Sequence, residues 1–228
     1  MISKINKYIK NAAIVSSLAF SFSCFAGDGL VASSMTVIDD YTLQGKVNFI
    51  SGIESGDADG NINVVIEIPK GTKGKWEVSG DDPTKIIWEF KKGKPRTVEY
   101  LNGYPGNYGT VPQTSMPAAF GGDGDPLDVV VLGDVLPRGE IVKVKVLGIL
   151  NLQEGDEFDG KLLAVVIGSK EAKAASWQEL NKMIPGSVDI VSAWFSNYKG
   201  PGEIELTSIG SAEQAMEIVA ASAGAYAK

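Results

Sequence analysis

The sequence predicts an α+β fold, a barrel-like sheet with peripheral helices. Three observations carry this. Short apolar runs, many of them β-branched and separated by turn residues, fill positions 63–167. Helical spacing and capping patterns begin only at residue 176. No internal repeat is evident, so a single sheet-based domain accounts for residues 61–228 better than an array does.

The chain opens on Lys4, Lys7 and Lys10, followed by a mostly apolar stretch at 12–25 and the small residues around Ala26. Residues 1–26 are therefore expected to be a secretory signal peptide cleaved after Ala26, which makes the mature protein periplasmic or secreted, without stable membrane insertion. Lipid attachment at Cys24 is the alternative, with Ser21 a poor start for a lipobox. Either route leaves no cysteine free for disulfide or thiolate chemistry. Residues 27–60, rich in Gly, Ser and Asp, are expected to form an N-terminal extension packed on the domain edge.

Residues 63–69 read as a strand ended by Pro69, with Glu67 set at a cost inside an apolar run. A second strand is expected at 74–78 and a third at 85–90, with turn chemistry between them at 79–83. After the basic turn 91–94 and Arg96, residues 104–109 read as an aromatic loop and 110–122 as a longer one. Residues 129–132 form a buried strand, 136–139 a turn, and 141–150 a long β run. A second acidic loop at 153–161 leads into the strand 162–167. Ser176 and Glu179 form a capping-box pattern opening a helix over 177–183. A further helix is expected over 188–198, a short strand at 204–209, and a last helix opened by Ser211.

The chain contains no histidine, which excludes Ser-His-Asp and Cys-His catalysis and the common zinc sites. Hydrolytic chemistry must run on carboxylates, Lys, Arg, Tyr and bound metal. Net charge is −7; taking the three leader lysines from 21 Lys+Arg leaves 18 against 28 Asp+Glu, or −10. That balance excludes general nucleic-acid binding.

The densest chemistry lies at residues 121–132. Asp123, Asp125 and Asp128 fall within six residues, around Pro126 and among glycines, and run straight into the strand at 129–132. Carboxylates this close repel, and a hard divalent cation relieves them. The second acidic loop can bring Asp159 to the same end of the sheet, with Glu67 and Glu77 on strands facing it. Lys75, Arg96, Lys161 and Lys199 stand as isolated cations among these segments. Excess carboxylate with scattered cations suits a multi-metal phosphate site.

From residue 63 onward the chain resembles the soluble family I inorganic pyrophosphatases. Asp123-Gly124-Asp125-Pro126-Leu127-Asp128 matches the family signature Asp-x-Asp-Pro-x-Asp. Around it, in the family's order, stand Glu67, Lys75 and Glu77, Arg96 eight residues before Tyr104, Tyr108, Asp159 and Lys161, then Tyr198 and Lys199. The resemblance implies a five-stranded OB-like β-barrel with flanking helices. It implies a Mg²⁺-dependent inorganic diphosphatase with several ions per site and Mn²⁺ as a substitute, acting as a homo-oligomer on pyrophosphate. Asp123, Asp128 and Asp159 would hold the tightest metals, and Glu67 and Glu77 a further one. Asp125 would be the general base acting on a metal-bridging water. Lys75, Arg96, Lys161, Tyr198 and Lys199 would grip the phosphates, with Tyr104 and Tyr108 closing the site. Where the family usually has an Asp, this chain has Glu154, so either Glu154 or Asp156 supplies that metal ligand.

The alternative class is a secreted calcium-binding or non-catalytic phosphate-binding module. Acidic Gly-rich loops suit Ca²⁺, but Lys75, Arg96, Lys161 and Lys199 would oppose it, and EF-hand spacing is lacking. A phosphatase using an aspartyl nucleophile would place its acids after a strand, whereas here the strand follows them.

Overall fold

The computed structural model describes residues 24–26 and 28–227; the basic start of the expected leader, at Lys4, Lys7 and Lys10, lies outside them. Strands β1 (Cys24–Ala26) and β2 (Gly29–Val31) pair as an antiparallel ribbon. Next, β3 (Thr36–Asp39) and β4 (Thr42–Gln44) enter a small sheet. After β5 (Ile62–Ile68), that sheet is completed by β6 (Trp76–Val78) and β7 (Lys85–Trp88), in the order β3-β4-β7-β6. Residues 36–44 thus supply two of its strands, with Leu43 fully buried.

The expected strand over 85–90 is divided. Glu89 leaves the ladder because its main chain bonds sideways to Lys75 and Arg96. Phe90 then joins β8 (Phe90–Lys91), which pairs with β9 (Lys94–Pro95) around Gly93.

The main sheet adds β10 (Asn107–Thr110), β11 (Asp128–Leu132), β12 (Ile141–Glu154), β13 (Glu157–Phe158) and β14 (Lys161–Val166). β10 corrects the reading of 104–109 as a loop: only its first part is loop. Asn107 is buried, and its side chain takes over the bonds a loop would leave open, accepting from Lys70 N and Leu136 N. The second acidic loop is shorter than expected, since β12 runs on to Glu154 and pairs with β13. β5 pairs with β10, β10 with β11, β11 with β14, β14 with β12, and β12 again with β5. Among the described strand pairs of this sheet, only β11 and β14 run parallel.

Helices α1 (Trp177–Met183) and α2 (Ser187–Asn197) follow, then β15 (Glu205–Gly210) on the edge of β12, and α3 (Ala212–Tyr226). Ser176 caps α1 by accepting from Glu179 N, but the Glu179 carboxylate returns to Ala175 N rather than Ser176 N, so the box is only half formed. At α3 both halves of the box, Ser211 and Gln214, are present.

Both faces of the main sheet are covered, which explains its near-continuous apolar runs. Val65, Val130, Leu163 and Leu150 face Val191, Trp194 and Phe195 of α2. Their neighbours Val64, Val129, Leu162 and Ala164 face Ala215 and Val219 of α3. The fold is mixed α+β with strands dominant.

Candidate active site

Parallel pairing of β11 and β14 sets Asp128 beside Lys161 in register. Lys161 is only 4% exposed, and its ammonium contacts Asp128 Oδ2 and lies 2.5 Å from Asp159 Oδ1. Burial works against its charge, but the two carboxylates outweigh burial and raise its pKa. On the other side of β11, β10 carries Tyr108, whose ring centre lies 5.8 Å from Lys161 Nζ. Burial pushes the Tyr108 hydroxyl well above its usual pKa, and Asp128 and Asp159 add to this. It therefore stays a neutral donor.

Glu67 on β5 is 5% exposed, and its Oε1 accepts from Val78 N at 2.8 Å. Burial raises its pKa to about 8, with the nearby Asp128 charge contributing. Lys75, just before β6, bridges Glu77 at 3.1 Å and Glu89 at 3.0 Å. Burial opposes the Lys75 charge, yet Glu77 and Glu89 raise its pKa. Arg96 meets both oxygens of Glu89, at 2.9 and 2.8 Å. Tyr198, at the end of α2, stacks on Trp194 with rings 4.8 Å apart and 5° from parallel. Lys199 contacts Glu154.

The acidic loop is closed by its own backbone. Gly124 takes φ +94°, a left-handed conformation that suits glycine. Asp125 N donates to Asp123 Oδ1 at 2.8 Å, and Met116 N donates to the Asp125 carbonyl at 2.8 Å. Burial raises the Asp125 pKa, with Asp123 and Asp128 adding to it.

These side chains line one cavity of about 670 Å³. Its acidic lining includes Glu67, Glu77, Asp123, Asp125, Asp128, Glu154 and Asp159. Its other polar lining includes Lys75, Arg96, Lys161, Lys199, Tyr108 and Tyr198. Two expected residues sit elsewhere. Tyr104 is one layer behind, its ring 5.6 Å from Tyr108 and 4.8 Å from Trp194. Asp156 lines an adjoining depression with Glu154 and Asp123. Sequence reasoning missed Glu89, which holds Lys75 and Arg96 together, and Glu157, which lines the cavity. No sequence signal marked Glu89, whose immediate neighbours are Trp88 and Phe90 and whose partners Lys75 and Arg96 lie 14 and 7 residues away.

Among the described residues no three acids already converge as a cation cage. Lys161 neutralises Asp128 and Asp159 instead. The donor set nonetheless fits a hard divalent ion: it is all oxygen, and burial, with the Asp128 charge beside it, raises the Glu67 carboxyl to about 8, a cost that a nearby cation would offset. Asp123, Asp128, Asp159, Glu67 and Glu77, with Glu154 or Asp156, are the side chains that would hold such ions.

The inorganic pyrophosphatase family model matches residues 64–227. The chain is 35% identical to the mitochondrial inorganic pyrophosphatase of Saccharomyces cerevisiae over 172 residues, 67% of this chain and 55% of that protein. It is 36% identical to the inorganic pyrophosphatase of Bos taurus over 154 residues, 61% of this chain and 53% of that protein. The chain thus spans about half the length of these relatives. The crystal structure of type I inorganic pyrophosphatase from Toxoplasma gondii superposes with a TM-score of 0.76 at 28% identity, over 85% of this chain and 97% of that one.

Proposed function

The chain belongs to the inorganic pyrophosphatase family, and on that premise we propose that it is an inorganic diphosphatase that hydrolyses pyrophosphate to two phosphates. The observation that carries the reading is a cavity whose all-oxygen acid lining is interleaved with Lys75, Arg96, Lys161, Lys199 and Tyr198. Acids alone would suit a calcium module, but the opposing cations suit the oxygens of a phosphoric anhydride.

Mg²⁺ (with Mn²⁺ as a substitute) would supply neutralisation of phosphate charge and a lowered pKa for water. The protein's own part begins with substrate placement. Lys75 and Arg96, held on either side of Glu89, and Lys199 present charge to the phosphates, with Arg96 and Lys199 nearest the leaving group, where Tyr198, kept neutral by burial, donates from its hydroxyl. Tyr108, kept neutral by burial, donates from the cavity floor, and Tyr104 backs its ring. Asp125 accepts the proton of the attacking water at Oδ1 or Oδ2, and its raised pKa brings it nearer the pH at which it must work. The water oxygen bonds to one phosphorus as the bridging P–O bond breaks. The bridging oxygen leaves with the second phosphate, its charge met by the cations. No covalent intermediate is needed.

The reading includes three finer features. The ring of pairings through β5, β10, β11, β14 and β12 supports an OB-like five-stranded barrel. The basic, then apolar, then small-residue pattern of 1–26 supports export to the periplasm or beyond. Self-association into a homo-oligomer is the third, and the family resemblance supports it. The test is phosphate release from pyrophosphate by the full chain in Mg²⁺, with EDTA and Asp125→Asn as controls. Release abolished by both supports the reading; a folded, Mg²⁺-supplied chain that releases none overturns it.

A further inference from the structure

Asp28 takes no part in the chemistry above, yet it is tied to the back of the cavity wall. Its Oδ2 accepts from the backbone amides of Lys73 at 2.6 Å and Gly74 at 2.5 Å. Its Oδ1 accepts from Arg138 Nη2 at 3.0 Å. The Arg138 side chain is fully buried, a costly place for a guanidinium. Its Nε donates to the Glu67 carbonyl at 2.8 Å, and its charged end lies 4.2 Å from the centre of the Trp76 ring. The buried indole N–H of Trp76 has no hydrogen-bond partner, so packing and the Arg138 face fix that ring. Main-chain bonds lock the junction: Arg138 N donates to Leu30 O at 2.8 Å, and Ala32 N to Arg138 O at 2.9 Å.

The junction's contacts with Lys73, Gly74, Trp76 and Glu67 lead to side chains of the cavity. Lys73 and Gly74 run directly into Lys75. Lys75 N donates to Arg96 O at 2.9 Å, and Val98 N to Lys73 O at 2.8 Å. The Asp28 carboxylate therefore anchors the ladder from which both Lys75 and Arg96 project. Trp76 lies between Lys75 and Glu77, and the Arg138 bond to the Glu67 carbonyl holds the strand that presents Glu67.

We propose that Asp28 is a positioning residue for substrate binding: acting through the Lys73 and Gly74 amides and through Arg138, it sets where Lys75 and Arg96 meet the phosphates. The inference rests on the pyrophosphatase reading. It makes the segment just after the expected leader part of the substrate-binding wall rather than a passive strap. Its carboxylate bonds at once to β2's neighbour Arg138 and to the turn that delivers Lys75.

The test compares kcat and KM for pyrophosphate, together with Tm, in the full chain, in Asp28→Asn, and in Asp28→Asn with Arg138→Met. Asn keeps the shape but accepts more weakly and takes the carboxylate charge away from beside Arg138. The double variant removes that charge and fills its space with an apolar chain. Losing charge-assisted bonds should raise KM about tenfold with kcat within about twofold, in both variants. The double variant should recover much of the Tm while KM stays raised. A merely structural anchor would instead have KM return to normal as Tm recovers, and that result overturns the proposal, as does an unaltered KM in Asp28→Asn. A wild-type chain that releases no phosphate overturns the functional reading, and the inference falls with it.

Discussion

Burial makes the charge of Glu67 costly to the fold. In the unfolded chain its carboxyl titrates near 4.5; burial in the native chain raises it to about 8. Between those values the native state binds more protons than the unfolded state, so stability falls as pH rises. The contribution is full below the unfolded value and is lost as pH passes through the folded one. With EDTA present, the wild-type chain is expected to lose on the order of a few kcal/mol relative to Glu67→Gln between roughly pH 5 and pH 9. Thermal melts across that range measure it, and parallel Tm profiles for the two chains would refute it. Glu67 could be singled out in sequence because a charge interrupts an apolar run. Glu89 could not, because its importance comes from Lys75 and Arg96 meeting across strands, a distance the sequence does not encode.

At the scale of elements, β10 shows why an aromatic stretch became a strand. A Cβ at Gly109 would stand 2.1 Å from the Val65 carbonyl oxygen, so only glycine lets β10 approach β5 there. The same closeness fixes Tyr108, one residue before, at the cavity floor. Gly109→Ala is expected to cost about 1–3 kcal/mol or more through overpacking. Because β10 must move to relieve it, KM for pyrophosphate should rise as well. Denaturant unfolding and steady-state kinetics on one preparation measure both, and a variant as stable as wild type would refute the packing argument. Strands with their own β-branched pattern, such as β5, β11 and β14, were legible in sequence, and so were α1, α2 and α3 from spacing and caps. What was hidden were elements made by partners: β10, wedged between β5 and β11, and the hairpin of β12 with β13, where acidic residues concealed a ladder. The signature at 123–128 was legible because its acids are local in sequence, whereas Asp28 joins the site across 110 residues through Arg138.

The whole chain carries 28 acids against 21 Lys and Arg, and folding gathers many of those acids into one cavity. An unfolded chain disperses them, so a divalent cation should bind the native state far better than the unfolded one. Mass action then requires Mg²⁺ to raise Tm, by an increment worth about 2.7 kcal/mol at a hundredfold excess over Kd. Asp128→Asn should reduce the shift, since Asp128 lies between Lys161 and the Glu67 side of the cavity. Identity of the ion alone would not separate a pyrophosphatase from a calcium module. The cation-bearing wall does: methylenediphosphonate, which keeps both phosphorus centres but replaces the bridging oxygen by carbon, should raise Tm further only when Mg²⁺ is present. That second increment should shrink in Arg96→Ala, whose guanidinium is withdrawn from the Glu89 pair that presents it. A chain stabilised by Ca²⁺ but indifferent to the diphosphonate would mean that Lys75, Arg96 and Lys199 serve only to balance the acids around them.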